Sequence, residues 1–271
     1  MSTKIEWADE VWNPVTGCSP VSEGCRNCYA RRMAQRLKGR FGYPADDPFK
    51  VTFHPDRINQ PLKWKKPRRV FVCSMGDLFH PEVDEAWILN VWQAMGEFYD
   101  AEGNIQPAND RPGHTYLVLT KRPERALDFL GTRYPEGHER KNVWVGVTAE
   151  NQEEADRRIP VLLQIPAARR FVSLEPLLGP VNLESYLGGY KEEWDACNAH
   201  TIDAPVLDWV IAGCESGPKR RRTDWEWFRF IREQCKAYGH RVPFFLKQMD
   251  VDGKLVKMPA LDGKVWDEVP E

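Results

Sequence analysis

The chain has 271 residues, 42% hydrophobic and 29% charged, a composition ordinary for a soluble globular protein of one large domain with at most a small appendage. Its 38 Lys and Arg against 40 Asp and Glu leave a formal charge of -2, which excludes a globally basic nucleic-acid binder but leaves room for a local basic groove. No apolar run approaches the roughly 20 residues of a membrane helix, and the opening MSTKIEWADE lacks the apolar core of a secretory leader, so the expected compartment is the cytoplasm.

In chain order, a short strand is expected near Val11–Val15, then a cysteine-bearing loop, then a helix over Tyr29–Leu37. Residues 38–68 read as an irregular insertion. The run Arg69–Asp77 predicts a strand, followed by an amphipathic helix over Asp84–Tyr99 with Ala86, Leu89, Val91, Trp92 and Met95 as its apolar positions. After a second insertion at 100–114 come a strand over Thr115–Lys121 and a helix over Arg122–Leu130. Pro123 opens that helix, where proline is tolerated.

Next come a strand over Asn142–Thr148, a helix over Glu150–Leu163 and a strand over Arg170–Glu175. A third insertion at 188–206 precedes a strand over Asp208–Glu215, a helix over Asp224–Tyr238 and a strand over Val242–Gln248. The strands are near-continuously apolar, as strands covered on both faces are. This repeated pattern predicts an α/β fold, a parallel sheet rolled into a full or partial (β/α) barrel over residues 1–249. An open doubly wound sheet is the alternative, but it would carry a glycine-rich phosphate loop after its first strand, and none is present. Residues 250–271, with turns at Asp252-Gly253 and Asp262-Gly263, read as a hairpin-like C-terminal appendage.

Seven cysteines in a reducing compartment point to metal or redox chemistry rather than a disulfide framework. Cys18, Cys25 and Cys28 stand at Cys-x6-Cys-x2-Cys spacing between the first strand and the first helix, on the C-terminal rim of the expected barrel. A structural zinc would need a fourth ligand, and no second matched pair exists; His54 and His80 fit no standard finger. Three thiolates suit a [4Fe-4S] cluster with one iron left open. S-adenosylmethionine (SAM) can chelate that iron and be cleaved by an electron from the cluster to a 5'-deoxyadenosyl radical. Structural zinc, in a nucleic-acid-binding module, stays as the alternative.

The stretches Ile5–Cys18 (IEWADEVWNPVTGC) and Gly24–Arg31 (GCRNCYAR) resemble the phage-associated three-cysteine proteins of the radical-SAM superfamily. The resemblance continues through Ser74–Phe79, Leu119–Pro123, Gly146–Asn151, Ser173–Leu177, Gly213–Gly217 and Phe245–Gln248, nearly the whole chain. Two departures stand out. The first cysteine gap is longer than the common three residues, and Asn27 stands where many members set an aromatic residue against adenine.

The resemblance implies that Ser74, Gly76 and Asp77 hold the SAM ammonium. For Asp77 the competing role is a helix N-cap. Thr148, Glu150 and Asn151 suit ribose hydroxyls and the methionine carboxylate, with helix capping again the competing role. Lys121 and Arg122 could pair with a SAM carboxylate or a substrate phosphate. Glu175, a carboxylate at a strand end, is costly to bury unless it serves a site. Cys214 replaces the glycine usual in its block and could return a hydrogen atom to a product radical; its bland role is a small buried hydrophobe. Glu215 and Ser216 beside it are candidates for hydrogen bonds to substrate or cofactor, and Lys247 and Gln248 for substrate binding.

Two basic runs, Lys63–Arg69 and Lys219–Arg222, each lie near tryptophans. In the second, Lys219, Arg220 and Arg221 beside Trp225 and Trp227 fit phosphate neutralisation with base stacking. The expected activity is isomerisation of an amino-acid adduct on a modified thymidine in phage DNA, with an electron donor such as flavodoxin or ferredoxin. A DNA-repair lyase of the photoproduct-splitting kind is the enzymatic alternative.

Overall fold

A computed structural model of the chain describes residues 5–99, 105–107, 113–134, 139–188, 190–194, 199–203, 206–237 and 242–271. Its centre is one curled sheet of eight strands, a half barrel. The strands are β1 (Glu10–Trp12), β2 (Arg69–Val72), β3 (Thr115–Thr120), β4 (Val143–Thr148), β5 (Arg169–Leu174), β6 (Trp209–Gly213), β7 (Phe244–Val251) and β8 (Lys254–Lys257). β1 to β7 pair in sequence order and all in parallel, and β8 returns antiparallel on β7. Each parallel step needs a crossover, and helices supply most of them: α1 (Tyr29–Leu37), α2 (Glu85–Ala94), α3 (Pro123–Gly131), α4 (Gln152–Leu162), a short α5 (Glu184–Leu187) and α6 (Trp225–Ala237).

Strand periodicity divides the apolar residues between two faces. Tyr116 and Val118 of β3, Val143, Val145 and Val147 of β4, and Val210 and Ala212 of β6 belong to the larger core. Ile88 and Trp92 of α2, Phe129 of α3, Ile159 of α4 and Ile231 of α6 lie in the same core, so the helices cover the convex face. The alternate residues, Leu117, Trp144, Phe171, Trp209, Ile211 and Phe245, form a second core with Trp7 and Phe71 in the hollow of the sheet. Trp209 is fully buried there, with ring centroids of Trp7, Trp144, Phe171 and Phe245 at 5.8 to 6.3 Å. The hollow therefore has an aromatic floor. Gly146 makes room in it: a Cβ there would lie 2.6 Å from the Phe171 ring.

The segments differ from expectation in several places. α2 stops at Ala94 rather than Tyr99, because Gly96 takes a left-handed backbone (φ 113°) that ends the helix. The described parts of the second and third insertions are paired rather than irregular: Glu97–Tyr99 with Ile105–Pro107, and Tyr190–Trp194 with Ala199–Asp203. The tail is continuous with the sheet. β7 runs on to Val251, the Asp252-Gly253 turn leads into β8, and Leu246 N donates to Trp266 O at 2.8 Å. Both Asp-Gly turns have positive φ at each residue, the geometry of the tight hairpin turn those dipeptides favour.

Candidate functional site

The chain leaves β1, pairs briefly through Val15–Thr16 with Thr52–Phe53, and reaches Cys18 at the C-terminal ends of the strands. Gly17 N donates to Met75 O at 2.9 Å, and Gly17 and Gly76 form an isolated parallel bridge. Neither tolerates a side chain. A Cβ on Gly76 would lie 2.9 Å from Gly17 O, and one on Gly17 (φ 88°) would enter the Lys50 carbonyl. Gly76, expected to touch a cofactor, thus serves a close backbone approach that holds Cys18 against the exit of β2. Glu23–Cys25 form a single 3-10 turn, and Cys28 is the N-cap residue of α1. All three cysteines are free thiols and half-buried. Burial pushes the Cys18 thiol up to about 11, with Asp77 adding to the rise and Arg122 opposing it.

Three carboxylates from three strand ends fasten this loop. Asp77, after β2, accepts from Thr120 Oγ1 at 2.8 Å, Lys121 N at 3.1 Å and Arg122 Nη1 at 2.9 Å. The same Arg122 Nη1 lies 3.4 Å from Cys18 Sγ, and Nη2 donates to Ser19 O at 3.0 Å. Arg122, expected at substrate, is therefore buried inside the cysteine loop's own network. Glu150, after β4, is fully buried; it accepts from Gly24 N at 2.9 Å, Lys121 Nζ at 2.7 Å and Arg158 Nη1 at 3.1 Å. Burial would raise its carboxyl, but Lys121, Ser22 and Arg158 outweigh it and hold the group down at about 2. Glu215, after β6, accepts from Asn27 Nδ2 at 2.9 Å and Arg221 Nη2 at 2.5 Å. Burial opposes ionisation there too, but the Arg221 and Asn27 hydrogen bonds win and lower its pKa. Lys121, Glu150 and Glu215 thus act on the loop rather than standing free above it.

A separate polar group crowns the hollow. Ser173 Oγ donates to Glu175 Oε2 at 3.2 Å, and Lys247 Nζ lies 2.9 Å from Glu175 Oε1. Glu175 follows β5 and Lys247 sits on β7, so the pair reaches across β6. Gly213 makes that possible, since a Cβ there would lie 2.6 Å from Glu175 Oε1. The β6–β7 register also shifts here, pairing Ala212 with Leu246 and Gly213 with Gln248, a bulge that re-aims Lys247.

Other expected residues take structural places. Asn151 caps α4, its side chain accepting from Glu154 N at 3.0 Å. Thr148 O accepts from Arg158 Nη1 at 2.7 Å, and the residue is buried. Ser74 Oγ donates to Asn13 Oδ1 at 3.2 Å, and Ser74 O accepts from Tyr29 OH. Ser216 O accepts from Arg32 Nη2 at 3.0 Å. Gln248 Nε2 donates to Cys214 O at 2.8 Å. Cys214 itself lies in the convex-face core, 1% exposed, its thiol pushed up by burial to about 12. It shares that core with Val210 and Ala212 of β6, and Glu175 adds to the rise of its thiol.

The basic runs also differ from expectation. Lys63–Arg69 leads into β2 and so lies at the N-terminal end of the sheet, opposite the cysteine loop. Within Lys219–Arg222, Arg220 pairs with Asp250, and Arg221 with Glu215 and Glu23, leaving Lys219 and Arg222 exposed. Trp225 and Trp227 are partly buried against the main core rather than open for stacking. The sequence reading missed Asn13, Asn27 as a partner of Glu215, and Arg158. Arg158 carried a signal: it lies eight residues after Glu150, two helical turns along the expected helix.

Among the described residues, no group of three or more His, Cys, Asp or Glu is placed to hold a metal ion. No described helix is long and apolar enough to cross a membrane. A family model described as protein of unknown function (DUF5131) matches residues 2–270. No curated protein and no solved structure matches.

Proposed function

We propose that this chain, which belongs to the DUF5131 family, is a radical enzyme that carries an iron–sulfur cluster on Cys18, Cys25 and Cys28 and binds SAM beside it. The observation that carries the reading is the fastening of one three-thiol loop over the C-terminal mouth of a parallel half barrel, by Asp77 through Arg122, by Glu150 and by Glu215. Three thiolates on one short loop suit a [4Fe-4S] cluster with one iron left open for SAM. The donor set fits on charge as well: Arg122, 3.4 Å from Cys18 Sγ, offsets a thiolate in a buried setting.

When bound, such a group supplies the electron that cleaves the SAM sulfonium and delivers a carbon radical. The chain's own residues supply position and shelter. Glu150 and Lys121 fix the Gly24 turn between the first two cysteines. The aromatic floor closes the hollow from below and excludes water from its depth. Glu175 and Lys247, a carboxylate and an ammonium facing each other at 2.9 Å, offer both partners a zwitterionic amino-acid group needs. That pairing supports an isomerase acting on an amino-acid adduct of a modified thymidine in DNA, the base being unpaired or extruded to reach the mouth.

Anaerobic reconstitution with iron and sulfide, followed by SAM and a reductant, tests the reading. About four irons per chain and release of 5'-deoxyadenosine are expected. Cys18→Ala, Cys25→Ala and Cys28→Ala should each lose both. A colourless protein holding one zinc would sink the proposal.

A further inference from the structure

The segment from residue 24 to residue 44 contains six cations (Arg26, Arg31, Arg32, Arg36, Lys38 and Arg40) and no Asp or Glu, in a chain whose net charge is -2. The structure turns this stretch into a surface. α1 buries Ala30 and Ala34 against Tyr43, Phe49 and Met75, one helical turn apart on the inner side. Arg26, Arg31, Arg36, Lys38 and Arg40 are all exposed, together with the apolar side chains of Tyr29, Met33 and Phe41. Arg32 alone turns inward, to Ser216.

Among the described residues, none of the five exposed cations forms an ion pair. Arg31 lies over the Phe49 ring at 5.1 Å, Arg40 donates to Arg36 O, and Lys38 feels Asp46 weakly from the next loop. A long-chain cation left without a counter-charge on a folded surface is available to a ligand. Most other arginines of the described structure are spent internally, as Arg122, Arg158, Arg220 and Arg221 are. The contrast sets this patch apart from the two basic runs, one of which lies at the far end of the sheet and the other of which is half neutralised. Position completes the picture, since Cys28 caps α1 and the patch begins at the cysteine loop itself.

We propose that the exposed face of α1, which carries Arg31 and Arg36, together with the flanking Arg26, Lys38 and Arg40, is the surface on which a nucleic-acid strand lies to present a base to the mouth of the half barrel. Four of the five exposed cations are Arg, whose planar fork matches a phosphate bidentately. Nine helical residues span about 14 Å, enough to follow about four phosphates at one per roughly 3.4 Å of strand axis. Tyr29, at the helix end beside Cys28, turns its hydroxyl inward to Ser74 O but leaves part of its ring exposed, where an unpaired base can stack. The proposal rests on the enzyme reading only for what the bound strand is used for; the surface itself rests on charge and exposure.

The test is fluorescence anisotropy with a labelled 20-nucleotide DNA strand and the reconstituted protein, over a salt titration. The variant Arg31→Gln/Arg36→Gln/Lys38→Gln changes only exposed side chains. It should bind at least about tenfold more weakly at low salt, and its log-log salt slope should fall by about 2, from roughly 0.7 per lost phosphate contact. The control Lys63→Gln/Lys65→Gln/Lys66→Gln, at the opposite end of the sheet, should match the parent. Unchanged affinity and slope in the α1 variant, or no DNA binding by the parent at 50 mM salt, would overturn the proposal. So would a variant that keeps DNA binding but loses reduction by an acidic flavodoxin while remaining active with dithionite, since the face would then be an electron-donor dock. Strand binding through α1 without SAM cleavage would leave this surface standing and remove the enzyme reading; cleavage without strand binding would do the reverse.

Discussion

The floor and the rim of the half barrel are built on the same strands yet follow opposite rules. At the floor, Trp7, Trp144, Phe171, Trp209 and Phe245 fill the hollow with rings packed on one another; the Trp209 indole N–H donates to Glu268 O at 2.8 Å, Arg169 lies over the Trp144 ring, and the Trp7 indole N–H is buried with no hydrogen-bond partner among the described residues. At the rim, Asp77, Glu150, Glu175 and Glu215 are nearly or wholly withdrawn from water, and each is held by a specific cation or amide. Burial at the floor is stabilising by itself. Burial at the rim costs energy unless every charge is matched, so its arrangement reports a demand other than stability. The comparison predicts that floor variants lose folding and rim variants lose loop position.

The sharpest test of the floor is Trp209→Ala. Removing the central ring should cost about 3–5 kcal/mol, read as a lower urea midpoint. The matching test of the rim is Glu150→Gln. It leaves Lys121 and Arg158 facing a neutral group in a fully buried place, at a cost of about 3 kcal/mol, and it weakens the acceptor that holds Gly24. Faster alkylation of Cys25 and Cys28 in the unreconstituted protein should accompany it, which a loss of packing confined to the floor would not produce.

The rim also carries a pH signature. The Glu150 carboxyl is held at about 2 in the folded chain against an ordinary 4.5. A lowered folded pKa means that its contribution is complete above about 4.5 and is lost as pH falls toward 2. Stability of the parent should decline through that window, and the Glu150→Gln variant should decline less.

Smaller effects refine the boundary. Gly213→Ala pushes a methyl into the Glu175 carboxylate and should cost about 1–3 kcal/mol while separating Glu175 from Lys247; a melting curve and a substrate KM would read the two consequences. Asn151→Ala should cost only about 1 kcal/mol, the worth of a helix cap, with 5'-deoxyadenosine formation unchanged. A large fall in SAM cleavage in that variant would return Asn151 to the cofactor.

Much of this was legible in the residues. The apolar, β-branched runs at Thr115–Thr120 and Val143–Thr148 can only be strands covered on both faces, and alternation with helices forces parallel order. The bounds of α1 were readable to the residue, because Ala30, Ala34 and Leu37 recur at helical spacing and Gly39 follows. The three thiols were legible from spacing alone. Even the α1 cation patch could have been counted along the chain, since six positive residues without a negative one is a local property.

What the linear order could not decide was direction. Gly213 and Cys214 are neighbours, yet one opens the hollow to Glu175 while the other is sealed behind the sheet, because successive strand residues point to opposite faces and only the assembled sheet says which face is which. Arg220 and Arg221 read as a free basic run until Asp250, Glu215 and Glu23 arrive from elsewhere in the chain. Residue type and period are local quantities, carried by the sequence itself. Partnership between charges depends on distances across the fold, and those exist only once the strands have curled and brought their ends together.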